Sequence, residues 1–277
     1  MRVLAWFHNF EPLSVALTLG PLSVHYYGLT MALAMLAGIA VVRRLAQRRG
    51  IQPEMVYDLA FWLIIGALVG ARLYAVLLFL PYYLVNPQDI LAVWKGGLAI
   101  HGAIIGGALT LWAYCTRRRE EGGSVGGRFL QRGDFLVVGL AVGQAIGRWG
   151  NYFNQELYGR PTDLPWGIPI APDHRAAGYS AFTYFHPTFL YESLLNLALA
   201  GGLAWLYRGK QLATGGVVGV YLIGYAVIRL LMETLRVDDT AMLAGIRVPV
   251  LASLAAAIVG VVLLARSWRK REHLEPR

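Results

Sequence analysis

Three arginines stand inside stretches otherwise apolar enough to cross a bilayer: Arg72, Arg148 and Arg229. An unpaired charge at the bilayer centre costs at least about 2.5 to 3.5 kcal/mol, so each needs a partner or a task. Arg148 opens the longest polar stretch of the chain, GRWGNYFNQELYGRPT at 147–162. A guanidinium offers a planar fork of donors suited to phosphate, the Asn151 and Asn154 amides can orient phosphate or ester oxygens, and glycine lets backbone N–H groups approach an anion. Glu156 and Arg160 add charge to the same stretch. Tyr225, Arg229 and Glu233 are four apart and form one stripe on a helix, where Glu233 can neutralise Arg229. His101, among small and apolar neighbours, is either a packing residue bonded to another helix or a general base that titrates near neutrality. For the stripe, a structural ion pair with an interfacial tyrosine is the competing interpretation. Together these residue types point to handling of a phosphate-bearing lipid.

The elements that position them are membrane spans. At 277 residues the chain is 57% hydrophobic and only 15% charged, with mean hydropathy +0.50, against about 25% charged residues in a soluble domain. Segments of about 20 apolar residues lie near 23–42, 59–80, 98–115, 134–150, 187–207, 215–235 and 248–266. The expected fold is an all-α polytopic membrane protein of about seven transmembrane helices, forming a single domain over 1–277. Residues 1–22 form an outer N-terminal segment and 151–186 an external loop, within which 163–185 is a possible lid. Many of the 32 glycines are spaced four apart, as in Gly66 and Gly70, Gly102 and Gly106, and Gly139, Gly143 and Gly147, the spacing that lets membrane helices approach closely. The first span lacks the flanks of a cleaved signal peptide and is expected to stay.

Net charge is +9, but the basic residues sit in short runs between apolar stretches, which orients spans and argues against nucleic acid. With the N-terminus outside and the C-terminus cytoplasmic, inner segments hold sixteen Lys and Arg and outer segments six: Arg2, Lys95, Arg160, Arg175, Arg236 and Arg247. That topology brings His25, Tyr26, Tyr27, His101, Arg148, Asn151, Asn154, His186, Tyr191, Glu192, Tyr225, Arg229 and Glu233 to one outer layer from five spans. Cys115, the single cysteine, excludes an intramolecular disulfide, and no Cys or His pairs at ligand spacing suggest a metal.

These residues resemble the prolipoprotein diacylglyceryl transferases of bacterial inner membranes. The stretch at 147–162 is similar to that family's Gly-Arg-x-x-Asn-Phe-x-Asn-x-Glu motif. LGPLSVHYYGL (19–29), GARLYAVL (70–77), WKGGLAIHG (94–102), HPTFLYES (186–193) and YAVIRLLMETLR (225–236) follow in the family's order. The resemblance implies a transferase, without cofactor or metal, that moves the sn-1,2-diacylglyceryl group of phosphatidylglycerol to the thiol of a prolipoprotein lipobox cysteine. A thioether forms and glycerol phosphate leaves, the first step of lipoprotein maturation.

It also implies roles in activity or lipid binding for Tyr27, His101, Arg148, Asn151, Glu156, Gly159, Tyr225, Arg229 and Glu233, with Arg72 and Arg160 on weaker positions. Arg148 and Arg229 are expected to clamp the phosphate, Asn151 and Gly159 to place the headgroup, His101 or else Tyr225 to take the thiol proton, and Glu156 and Glu233 to orient the arginines. Departures from the family pattern are Ala103, Phe189, Ala226 and Val237-Asp238-Asp239; none removes a charged site residue. A transporter and an intramembrane hydrolase are the rival classes. The first lacks visible repeats, and the second an evident Ser-His or paired-Asp arrangement.

Overall fold

The computed structural model describes residues 8, 10, 12–20, 22–118, 122–209 and 211–272. Arg2, Arg119, Lys210 and Arg277 of the charge count lie outside the described residues. Helices run over Tyr26–Gln47 (α1), Pro53–Leu78 (α2), Leu80–Val85 (α3), Ile100–Arg117 (α4), Val125–Phe153 (α5), Thr188–Arg208 (α6), Gly216–Glu233 (α7) and Val248–Glu272 (α8). Each expected span therefore has a helix. Among the described residues five helices are long and apolar enough to cross a membrane: α1, α2, α6, α7 and Val248–Lys270 of α8. The chain is a polytopic, mostly helical membrane protein. The other two are more polar, since α4 carries His101, Thr110 and Arg117, and α5 carries Arg128, Arg132, Asp134 and Arg148.

The fold is mostly helical, as expected, with short strands beside the helices. Among the described residues there are three antiparallel two-stranded ribbons, Val15–Leu19 (β1) with Leu22–His25 (β2), Ile168–Pro169 (β3) with Tyr184–Phe185 (β4), and Met242–Leu243 (β5) with Ile246–Arg247 (β6). All lie in connectors, where a short ladder satisfies backbone groups that no helix covers.

Two compact units emerge, residues 46–132 and residues 1–45 with 133–277. In the 46–132 unit α2 and α4 meet along a glycine seam. A Cβ on Gly70 would strike the Gly102 carbonyl, one on Gly102 the Gly70 carbonyl, and one on Gly106 the Gly66 carbonyl. Backbones this close admit no side chain. Gly70→Leu should therefore cut the yield of folded protein several-fold, whereas Gly107→Ala, which faces open space, should not. Equal yields of the two variants in detergent extracts would refute the seam.

Arg72 closes this unit at the other end. Its Nε donates to the Ile90 carbonyl (2.9 Å), Nη1 to Gly96 (2.5 Å) and Gly97 (2.8 Å), and Nη2 to Asp89 and to Ala92 (3.3 Å). All five donors are spent on backbone carbonyls, so this charge inside a span is a keystone for the 89–97 turn. The same turn holds Asp89 against Lys95 (2.7 Å) and Tyr82 (2.7 Å), and the Lys95 hydrogen bond holds the Asp89 carboxyl below its ordinary range. Arg128 also serves the backbone: its guanidinium, buried, donates to the carbonyl of Cys115 in the last turn of α4 and to those of Gly122 and Gly123 beyond it.

In the larger unit α1 and α5 approach through Gly38 and Gly139, and α7 and α8 through Gly219 and Gly260. Buried Asp134 of α5 starts α7, accepting the N–H groups of Gly215 (2.8 Å) and Val218 (3.0 Å) where the helix dipole is positive. The 151–186 connector is packed rather than open. Tyr158, Ile168, Ile170 and Phe185 form one apolar cluster with Tyr152 and Phe189, and the Tyr158 hydroxyl donates to the His174 carbonyl (2.8 Å) and accepts the Ala176 N–H (2.6 Å). Burial pushes that hydroxyl's pKa up.

Candidate functional site

The larger unit gathers its ionisable groups where the ends of α5, α6 and α7 meet. Arg148, one turn from the end of α5, sets Nε 2.5 Å from Oε2 of Glu192 on α6. Glu192 is 3% exposed, and its other oxygen lies 3.4 Å from Nη1 of Arg236, whose Nε reaches Asp238 at 2.6 Å. On α7, Arg229 Nη2 stands 2.8 Å from Glu233 Oε2, and Glu233 Oε1 is 2.5 Å from Arg247 Nε. The charges of Arg236, Glu233 and Glu192 all act on Arg229. One network thus joins elements that the chain separates by up to about a hundred residues.

Distance and direction diverge at Glu233. Both of its oxygens are within ion-pair range of an arginine, yet neither accepts an aligned hydrogen bond, and Arg229 Nη1 is likewise buried with no hydrogen-bond partner among the described residues. The attraction is coulombic, and the guanidinium keeps a buried donor in reserve. Arg148 is more committed, since Nη1 also donates to Asn151 Oδ1 (3.3 Å).

Asn151 is buried and links two charged groups, for its Nδ2 donates to Glu156 Oε1 at 2.7 Å. The turn that allows this is strained: Gln155 (φ 53°) and Leu157 (φ 56°) flank Glu156 in the left-handed region. Gln155 is held there by its side chain, which accepts the Ala171 N–H at 2.7 Å. Tyr27 on α1 feels the charges of both Glu156 and Arg148, and its ring lies where a Cβ on Gly150 would be, 2.8 Å from the nearest ring atom. A cavity of about 490 Å³ runs along this turn, lined by Asn154, Glu156, Leu157, His174 and Asp238 among others.

Several expected residues are placed differently from their expected tasks. Glu156 reaches Arg148 only through Asn151; the direct partner of Arg148 is Glu192, which the sequence places in the outer layer without naming its partner. Gly159 donates its N–H to the His186 carbonyl (3.0 Å), and a Cβ there would sit 2.7 Å from His186 Cβ, so its smallness serves packing against His186 and Thr188. Arg160 is exposed and joins Leu235 through its backbone. Tyr225 stacks near Tyr221 (6.1 Å between rings), whose hydroxyl donates to Gln144. His101 belongs to the 46–132 unit, in the first turn of α4, exposed and with its ring 6.0 Å from Tyr74. His186 meets the Tyr191 hydroxyl at 3.2 Å, and burial lowers its pKa, keeping the imidazole neutral at pH 7. Among the described residues no cluster of His, Cys, Asp and Glu could hold a metal ion.

Arg236 and Arg247 had been counted only as loop charges. A visible signal existed for Arg236, which follows Glu233 by three residues and extends the stripe of α7.

The model of the family described as prolipoprotein diacylglyceryl transferase matches residues 14–266. The chain belongs to that family. Among similar curated proteins, the phosphatidylglycerol–prolipoprotein diacylglyceryl transferase of Synechococcus elongatus is 47% identical over 249 residues, covering 88% of this chain and 83% of its own. Those named likewise in Trichormus variabilis and Acaryochloris marina are 41% and 39% identical, covering 94% and 97% of this chain and 92% and 94% of their own lengths. As a diacylglyceryl transferase family member, the chain carries its buried arginines over the stretch that the family model spans.

Proposed function

We propose that this chain transfers the sn-1,2-diacylglyceryl group of phosphatidylglycerol to the thiol of a prolipoprotein lipobox cysteine, in the bacterial cytoplasmic membrane. In this reading 1–277 acts as one catalytic domain of seven spans, with the N-terminus and the site facing outward and the C-terminus cytoplasmic. The observation that carries it is Arg229, a half-buried cation whose Nη1 atom is buried and has no hydrogen-bond partner among the described residues, set in a network that includes Arg148. A phosphodiester supplies the missing acceptor.

The thiolate sulfur attacks the glycerol carbon that bears the phosphate, and the C–O bond breaks as the C–S bond forms. The electron pair leaves on the phosphate oxygen as glycerol phosphate. Arg148 and Arg229 stabilise the growing charge, which a fixed cation in low dielectric does best. Asn151, Asn154 and Glu156 position the headgroup beside Tyr27, and Glu233 holds Arg229. Gly159 contributes by letting the 159–160 backbone pack against His186 and Leu235.

The thiol, with a pKa near 8.5, must lose a proton, and His101 is proposed to accept it, with Tyr225 as the alternative. His101→Gln is then expected to lower turnover by about 10²-fold or more near neutrality, with partial recovery as rising pH generates thiolate without a base. A histidine that only packs would instead reduce protein yield and show no recovery with pH. The activity itself is tested by incubating the reconstituted chain with phosphatidylglycerol and a lipobox peptide. Mass spectrometry should find one added diacylglyceryl group, absent from a Cys→Ser peptide; an unmodified cysteine peptide would refute the function.

A further inference from the structure

The hairpin β5–β6 is a turn of two residues, Ala244 (φ 50°) and Gly245 (φ 78°), both in the left-handed region that a type I′ turn requires. Side chains alternate across such a ribbon. Leu243 pairs with Ile246 on one face, exposed by 62% and 45%, and Met242, exposed by 60%, pairs with Arg247 on the other. Arg247 reaches back to the end of α7, with Nε 2.5 Å from Glu233 and 3.1 Å from the Thr240 hydroxyl, and Nη2 2.9 Å from the Asp238 carbonyl. From Ala241 to Ile246 there is no charged residue, and α8 begins at Val248, directly after the ribbon.

We propose that this hairpin is a membrane seat whose apolar tip enters the acyl boundary of the leaflet on which the site opens, holding Arg247 against Glu233. Covalent continuity decides the occupant. A ribbon with no linker between it and a span stays at the end of that span, where the available partner for three exposed apolar side chains is lipid. The second consequence concerns the site and rests on the clamp role of Arg229. Glu233 is shared between Arg229 and Arg247, so a seated hairpin fixes where Glu233 stands and hence where Arg229 points. Arg247 is a positioning residue in this arrangement, and the bilayer that carries the lipid substrate also orders the clamp.

The test uses the full chain in phosphatidylcholine–phosphatidylglycerol vesicles with or without bromine on the acyl chains. In Leu243→Trp, the emission added to that of the parent's eight tryptophans should be quenched by the brominated lipid. Unquenched emission overturns the seat, as does quenching only by a brominated lipobox peptide in plain vesicles, which would make the peptide the occupant. Arg247→Gln should lower kcat about tenfold with little change in KM for phosphatidylglycerol and unchanged quenching at 243, and Arg247→Lys should recover part of the loss. Unaltered kcat in Arg247→Gln overturns the coupling; should that variant fail to fold, Leu243→Trp still decides the seat. Quenching in a parent chain that forms no thioether would sink the transferase function and leave the seat standing, whereas a working transferase with an unquenched residue 243 would do the reverse.

Discussion

Arg229→Ala is expected to lower thioether formation by about 10²- to 10³-fold or more while leaving a folded protein, because the donor it removes acts on charge that develops only as the C–O bond breaks. Folding should survive, since Glu233 retains Arg247 as a partner at 2.5 Å once Arg229 is gone. Arg229→Lys sharpens the prediction. It keeps the charge but loses the planar fork, so a lysine directed at Glu233 has no second rigid donor for a phosphate, and turnover should stay well below that of the parent. Rates of peptide modification in phosphatidylglycerol vesicles, normalised to folded enzyme, give the comparison. Near-normal turnover in Arg229→Ala would remove it from the clamp.

Glu192→Ala is expected to have the largest effect on stability. The carboxylate is buried between Arg148 and Arg236, with side-chain exposure of 4%, so its removal leaves two guanidinium groups without their common counter-charge. Breaking a buried pair by deleting one partner costs about 3–5 kcal/mol, most of it the penalty for the charge left behind. Arg236 keeps Asp238 at 2.6 Å, whereas Arg148 keeps only the neutral Asn151, so the damage should centre on Arg148. Denaturant unfolding in detergent should show the loss, and a double variant with Arg148→Met should regain part of it by removing the stranded charge. If Glu192→Ala unfolds at the denaturant concentration of the parent, the bridge is not holding the helices.

The two kinds of residue differed in legibility for a physical reason. Tyr225, Arg229 and Glu233 could be read from spacing, since a helix with 3.6 residues per turn places positions four apart on one face. The Arg229–Glu233 pair indeed stands at 2.8 Å. The turn around Glu156 was legible as polar and glycine-flanked, but not as a strained bend, because Gln155 and Leu157 at positive φ have no local signature. Arg72 matched a weaker family position and looked as exceptional as Arg148; its five acceptors are backbone carbonyls, which every residue possesses and no sequence distinguishes. The family position of Gly159 pointed to the headgroup, whereas the acceptor of its N–H, the His186 carbonyl, has no mark in the sequence.

By itself, then, the sequence determined a polytopic membrane protein with charges too costly to be idle, together with motifs specific enough to place the chain in its family. Those are properties of composition, period and short spacing, written along the chain. Only the tertiary structure decided that Glu192 bridges Arg148 and Arg236, that Arg247 returns from a hairpin to share Glu233, and that Arg72 serves the backbone. Such choices depend on which helix ends meet at which height. A contact between residues 148 and 192, or between 192 and 236, is set by packing over many turns and leaves no trace in the spacing of either residue.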